Sequence, residues 1–164
     1  MKNKKLRLLL WADCNRSCAD CCNNSWDLDS IERCTDFSGY DEIMLTGGEP
    51  MLYPAQVLRV INDIRKQNST AKIFMYTAKL DNTLNALTLL KDLDGITVTL
   101  HDENDRPHLR RFENLVETLE WRDKSLRLNV FGDTIGNVRR GWKVKRMEWA
   151  VDCPVPSDED FRRL

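Results

Sequence analysis

Cys14, Cys18 and Cys21 are separated by three and then two residues in a single short stretch. Thiolates at that spacing wrap one metal centre within one loop, and three of them around a four-iron cube leave one iron without a protein ligand. An open iron is a place for chemistry. The competing reading is zinc, with Cys22, Cys34 or Cys153 as fourth ligand, but zinc sites pair two ligand hairpins and this chain has no second Cys/His pair. A second stretch, Gly47-Gly48-Glu49-Pro50, either is a plain turn into a helix or lets the backbone approach a ligand, with Glu49 able to accept a hydrogen bond from an ammonium group. His101 and His108 are read as structural first, although His101 could move a proton at the strand end.

The elements needed to hold these residues can be read from the apolar pattern. An apolar run at 6–10 ends just before the cysteines and reads as a buried parallel strand, followed by a short helix at 26–37. Further strands are expected at 42–46, 71–76, 96–100 and 126–131, with a sixth at 143–150. Between them, Pro54 opens a helix bearing Val57, Leu58, Ile61 and Ile64, Asp81 caps one bearing Leu84, Leu87, Leu90 and Leu93, and Asp105 caps one bearing Leu109, Phe112, Leu115, Val116 and Leu119. Beyond Gly132 the pattern weakens around Gly136 and Gly141, and Ser157 to Asp160 reads as solvated surface. Alternating strands and helices imply right-handed crossovers, a parallel sheet and ligands gathered at the strands' C-terminal ends. Both motifs fall there.

At 164 residues the chain fits one domain, 1–164, but is short of the roughly 250 residues of a closed barrel, so an α/β open partial barrel of about five or six parallel strands is expected. A hydrophobic share of 41%, a charged share of 31% and a net charge of -1 describe an ordinary folded protein with no general affinity for nucleic acid. The apolar run after the basic N-terminus is too short for a signal peptide or a membrane span, so a cytoplasmic protein is expected. In that reducing setting, crowded cysteines point to metal before disulfides. Cys22 then reads as a spare thiol, Cys34 as core, and Cys153 as a tail thiol that could fold over the site.

The cysteine spacing resembles that of the radical S-adenosylmethionine (SAM) enzymes, and Thr46-Gly47-Gly48-Glu49-Pro50 is similar to that family's GGEP motif. The resemblance implies a [4Fe-4S] cluster on Cys14, Cys18 and Cys21, with the methionine end of SAM on its open iron and on Gly47, Gly48, Glu49 and Pro50. Thr99-Leu100-His101-Asp102 resembles the family's Ser-Leu-Asp turn, which places Thr99 toward the SAM ribose or carboxylate, and Asn129 resembles an inward polar position. Arg110 or Arg111 is the implied partner of that carboxylate, weighed against an ordinary solvated helix face. Asp20 stands where members commonly carry an aromatic residue. The implied activity is reductive cleavage of SAM to methionine and a 5′-deoxyadenosyl radical, driven by flavodoxin or ferredoxin docked on Arg139, Arg140, Lys143, Lys145 and Arg146. The substrate stays open between another protein's loop, as for glycyl-radical activating enzymes, and a small molecule or peptide, as in the deazaguanine-forming and peptide-maturing branches. A non-catalytic module with structural zinc or iron–sulfur is the alternative.

Overall fold

A computed structural model describes residues 3–119, 121, 123–132, 138–149 and 154–164. Its sheet is built from β1 (Lys5–Leu9), β2 (Glu42–Thr46), β3 (Lys72–Thr77), β4 (Gly95–Leu100), β5 (Ser125–Phe131), β6 (Trp142–Met147) and β7 (Glu159–Arg163). All pairings are parallel, in the order β6-β5-β4-β3-β2-β1-β7. The helices are α1 (Pro54–Gln67), α2 (Thr83–Asp92) and α3 (Arg106–Thr118).

From β1 to β6 the strands are laid down in sequence order. Right-handed crossovers that always step the same way put every helix on the same face, which is the arrangement of a barrel wall. That face carries Leu6, Leu8, Ile43, Leu45, Ile73, Met75, Val98, Leu128 and Val130, all buried in one cluster with Val57, Ile61 and Ile64 of α1 and Phe112 of α3. Full burial of each such side chain is worth about 1.5–3 kcal/mol, so this face dominates the stability. The opposite face bears Arg7, Met44, Tyr76, Arg127 and Asn129, each half-buried, because among the described residues no layer of helices covers it. The fold is therefore the expected α/β open partial barrel, with seven strands in place of five or six.

Three expectations are corrected. Residues 26–37 form turns, not a helix, because backbone groups there bond to β7: Cys34 donates its N–H to the Arg163 carbonyl at 2.8 Å, and Arg163 donates to Glu32 at 3.0 Å. Of the tail read as solvated surface, Ser157 and Asp158 are an exposed turn, but Glu159 and Asp160 open the strand β7, whose register against β1 runs from Lys5↔Glu159 to Leu9↔Arg163. Its charges are satisfied sideways, by Arg7 on Glu159 at 2.8 Å and Lys5 on Asp158 at 2.7 Å. The cap of α2 is Asn82, whose side chain accepts from Asn85 N at 3.2 Å, while Asp81 pairs with Lys79. Gly136 and the end of the 143–150 strand lie outside the described residues, as does Cys153. Among the described residues no helix is long and apolar enough to cross a membrane.

Candidate iron–sulfur site

The loop that follows β1 carries Cys14, Cys18 and Cys21 as free thiols, with Cys14 exposed and the other two half-buried. Its root is held by backbone geometry. Gly47 and Gly48 both take positive φ, +81° and +47°, and a Cβ on Gly48 would stand 2.1 Å from the Asp13 carbonyl oxygen. No side chain fits there, so the glycine pair lets the β2 turn press against the residue before Cys14. Glu49 N then donates to Asp13 O at 2.7 Å, and Tyr53 donates its hydroxyl to the Asp13 carboxylate at 2.8 Å. Trp11 adds an indole bond to the Glu49 carbonyl at 3.2 Å.

The Glu49 side chain is only 3% exposed and is engaged inside the protein. Oε1 accepts from Met51 N at 2.8 Å and from the Thr77 hydroxyl at 2.6 Å, and Oε2 accepts from Ala78 N at 2.8 Å. Burial pushes this carboxyl above the ordinary glutamate range, and the three donors pull against it. Glu49 thus ties the β2 turn to the end of β3. Pro50 beside it is buried.

Thr99 and Asn129 are register partners across β4 and β5, side by side on the open face. Thr99 lines a cavity of about 190 Å³ with Asn15 and Arg16 of the cysteine loop, Lys79, Asp81, Asp105 and His108. Arg110 and Arg111 are exposed on α3 and do not line it, so their place is the solvated helix face. His101 packs against Phe131 (centroids 5.3 Å) and Trp149 (5.7 Å), and Phe131 stacks on Trp149 at 4.2 Å. Burial lowers the His101 pKa, and the nearby Arg16 charge lowers it further against Asp105 and Asp102. Cys34 is buried, as expected. Cys22 is disulfide-bonded and not the spare thiol expected of a reducing compartment.

Arg16 belongs to none of the motifs legible in the sequence, and Asp105 reads there only as the cap of α3, a bond its side chain does not make. Arg16 sits within the cysteine run, and its guanidinium donates to the Asp105 carboxylate and to Ala78 O, the latter at 3.3 Å. A charged residue inside the cysteine run is the signal that would have found it.

Residues 4–114 match the family described as a 4Fe-4S single cluster domain. The chain belongs to that family. The 4Fe-4S single cluster domain occurs in radical SAM-type proteins, and here its match runs from β1 through most of α3, enclosing the thiol loop, the glycine turn and Thr99. No curated protein matches the chain.

The donor set fits such a cluster. Three soft thiolates on one loop suit iron–sulfur ligation. Arg16 N donates to Cys14 Sγ at 3.4 Å, a hydrogen bond of the kind that tunes cluster sulfur. The Cys18 thiol is pushed up by burial and by the charges of Cys21 and Cys14. Among the described residues no three His, Cys, Asp or Glu side chains converge in a metal-holding arrangement. Like-charged thiolates repel, and ligation itself supplies the free energy that draws them together. Two buried polar atoms without partners, Arg16 Nε and His101 Nδ1, stand beside this loop and the β4 end.

Proposed function

We propose that the chain is a compact radical SAM enzyme, with a [4Fe-4S] cluster on Cys14, Cys18 and Cys21 and SAM seated between that loop and the end of β4. The observation that carries this reading is the cavity shared by Asn15 and Arg16 of the loop with Thr99, since it opens beside the ligand cysteines at the C-terminal end of a parallel sheet. Cys14, Cys18 and Cys21 would hold the cluster, which would supply the one-electron reduction for cleavage of SAM to methionine and a 5′-deoxyadenosyl radical able to take a hydrogen atom from a substrate.

The chain's own residues orient and shield. Gly47 and Gly48 set how close the β2 turn approaches the cysteine loop, and the backbone from Gly47 to Pro50 faces the methionine end of SAM, while the Glu49 carboxylate holds that backbone in place from inside. Thr99 and Asn129 supply polar contacts on the open face, and His101, Phe131 and Trp149 form an aromatic wall beside them. Lys143 and Lys145, exposed on β6, suit an acidic flavodoxin or ferredoxin. Small-molecule, peptide and protein-loop substrates all fit an open half-barrel, and a cytoplasmic location is proposed on the low-potential chemistry alone, since the Cys22 disulfide gives it no support.

A non-catalytic module is the second reading. It is favoured by Glu49, whose carboxylate is already taken up by Met51, Thr77 and Ala78. Anaerobically reconstituted protein given dithionite and SAM decides between them. Formation of 5′-deoxyadenosine is expected. A fully loaded cluster that yields none, and whose paramagnetic spectrum ignores added SAM, would leave the non-catalytic module standing.

A further inference from the structure

Arg16 does more than sit between two ligand cysteines. Its backbone N–H donates to Cys14 Sγ, while its side chain leaves the loop and crosses to two other elements. One guanidinium nitrogen donates to the Asp105 carboxylate and to the carbonyl of Ala78, just past β3, at 3.3 Å, and the other lies 3.9 Å from Asp102. Asp105 is itself buried and committed on its second oxygen, which accepts from His101 N at 2.8 Å and Asp102 N at 3.4 Å. The carboxylate is thus a rigid bracket on the turn after β4, not a mobile surface acid. A charge-assisted bond to such a bracket, with the two side chains 23% and 11% exposed, is far less screened than a surface ion pair.

We infer that Arg16 is a positioning residue, which tethers the cysteine loop to the turn following β4 through Asp105 and fixes a positive charge beside the cluster ligands. The charge half of this inference rests on the iron–sulfur reading above; the tether half does not. Charge and hydrogen bonds near the sulfurs set iron–sulfur potentials, so a fixed guanidinium raises the potential and makes reduction easier.

The test takes wild type, Arg16→Met, Arg16→Lys and Asp105→Asn. In cluster-free protein, hydrogen exchange of amides 14–21 should quicken roughly ten- to hundredfold in Arg16→Met, the equivalent of one charged hydrogen bond, while α1 amides stay as protected as before. Asp105→Asn keeps the arginine and should quicken the same amides. In reconstituted protein without SAM, the midpoint potential should move negative in Arg16→Met and return toward wild type in Arg16→Lys. Unchanged loop exchange in Asp105→Asn disproves the tether even if Arg16→Met fails to fold. An unchanged potential in a fully loaded Arg16→Met disproves the charge role. A wild-type chain that takes up no iron and sulfide would sink the iron–sulfur reading instead, and the exchange results would still decide the tether.

Discussion

Glu49 ends the glycine turn with its carboxylate folded inward onto Met51 N, the Thr77 hydroxyl and Ala78 N. In Glu49→Gln one oxygen becomes an NH2 group, so a donor faces a donor in a buried place. The cost should be about 1–3 kcal/mol, and for a chain of this size each kcal/mol lowers the unfolding temperature by roughly 2–4 °C. Thermal unfolding of cluster-free protein measures it, and an unchanged midpoint would mean the three bonds do not hold the turn. The sign of the pH effect follows from the raised folded pKa. The stability that comes from protonating Glu49 is fully present below its ordinary value of 4.5 and is lost as the pH rises through the folded value. The glutamine penalty should therefore shrink as the pH climbs through that window.

At the scale of elements, the cysteine loop is placed by what presses on its root. Gly48→Ala would put a methyl group 2.1 Å from Asp13 O, so the loop or the β2 turn must shift. Iron and acid-labile sulfide per protein should fall well below wild type after anaerobic reconstitution. Gly132→Ala is the matched comparison, because its φ is also positive, +65°, but its new Cβ would meet nothing within 4 Å. It should cost only the left-handed backbone strain, about 1–2 kcal/mol, and keep the full cluster. Equal loading of the two variants would show that the close approach of Gly48 does not matter. α1 and α3 were legible because apolar residues recur on one stripe. Residues 26–37 were not, since Ile31, Cys34 and Phe37 suit a helical stripe as well as the turns that bury Cys34 and Phe37.

On the scale of the whole molecule, β7 closes the β1 side of the sheet, with Phe161 packed on Trp26 at 4.7 Å and Arg163 Nε bonded to the Ile31 carbonyl at 2.9 Å. The C-terminal residues thereby brace both β1, which delivers the cysteine loop, and the segment that leaves it. A chain ended at Pro156 loses that bracing and leaves β1 as an unpaired edge. It should unfold at lower denaturant than wild type and hold less iron. Unchanged denaturant midpoint and iron content would mean that β7 is only an attachment to a sheet already complete.

Five of the seven strands, the three helices, the spacing of the cysteines and the glycine turn could be read from the sequence because each has a local cause. Helical stripes, strand runs and thiol spacing are written in neighbouring residues. Long-range pairing has no such record: the charged Glu-Asp-Phe-Arg-Arg run of β7 shows no strand alternation, because its partners Arg7 and Tyr40 lie more than a hundred residues away. The same holds for Glu49, whose inward carboxylate depends on where Thr77 ends β3. Arg16 looked like an ordinary charge in the sequence and Asp105 like a helix cap, and only the tertiary structure, by bringing two loop ends together, made them partners.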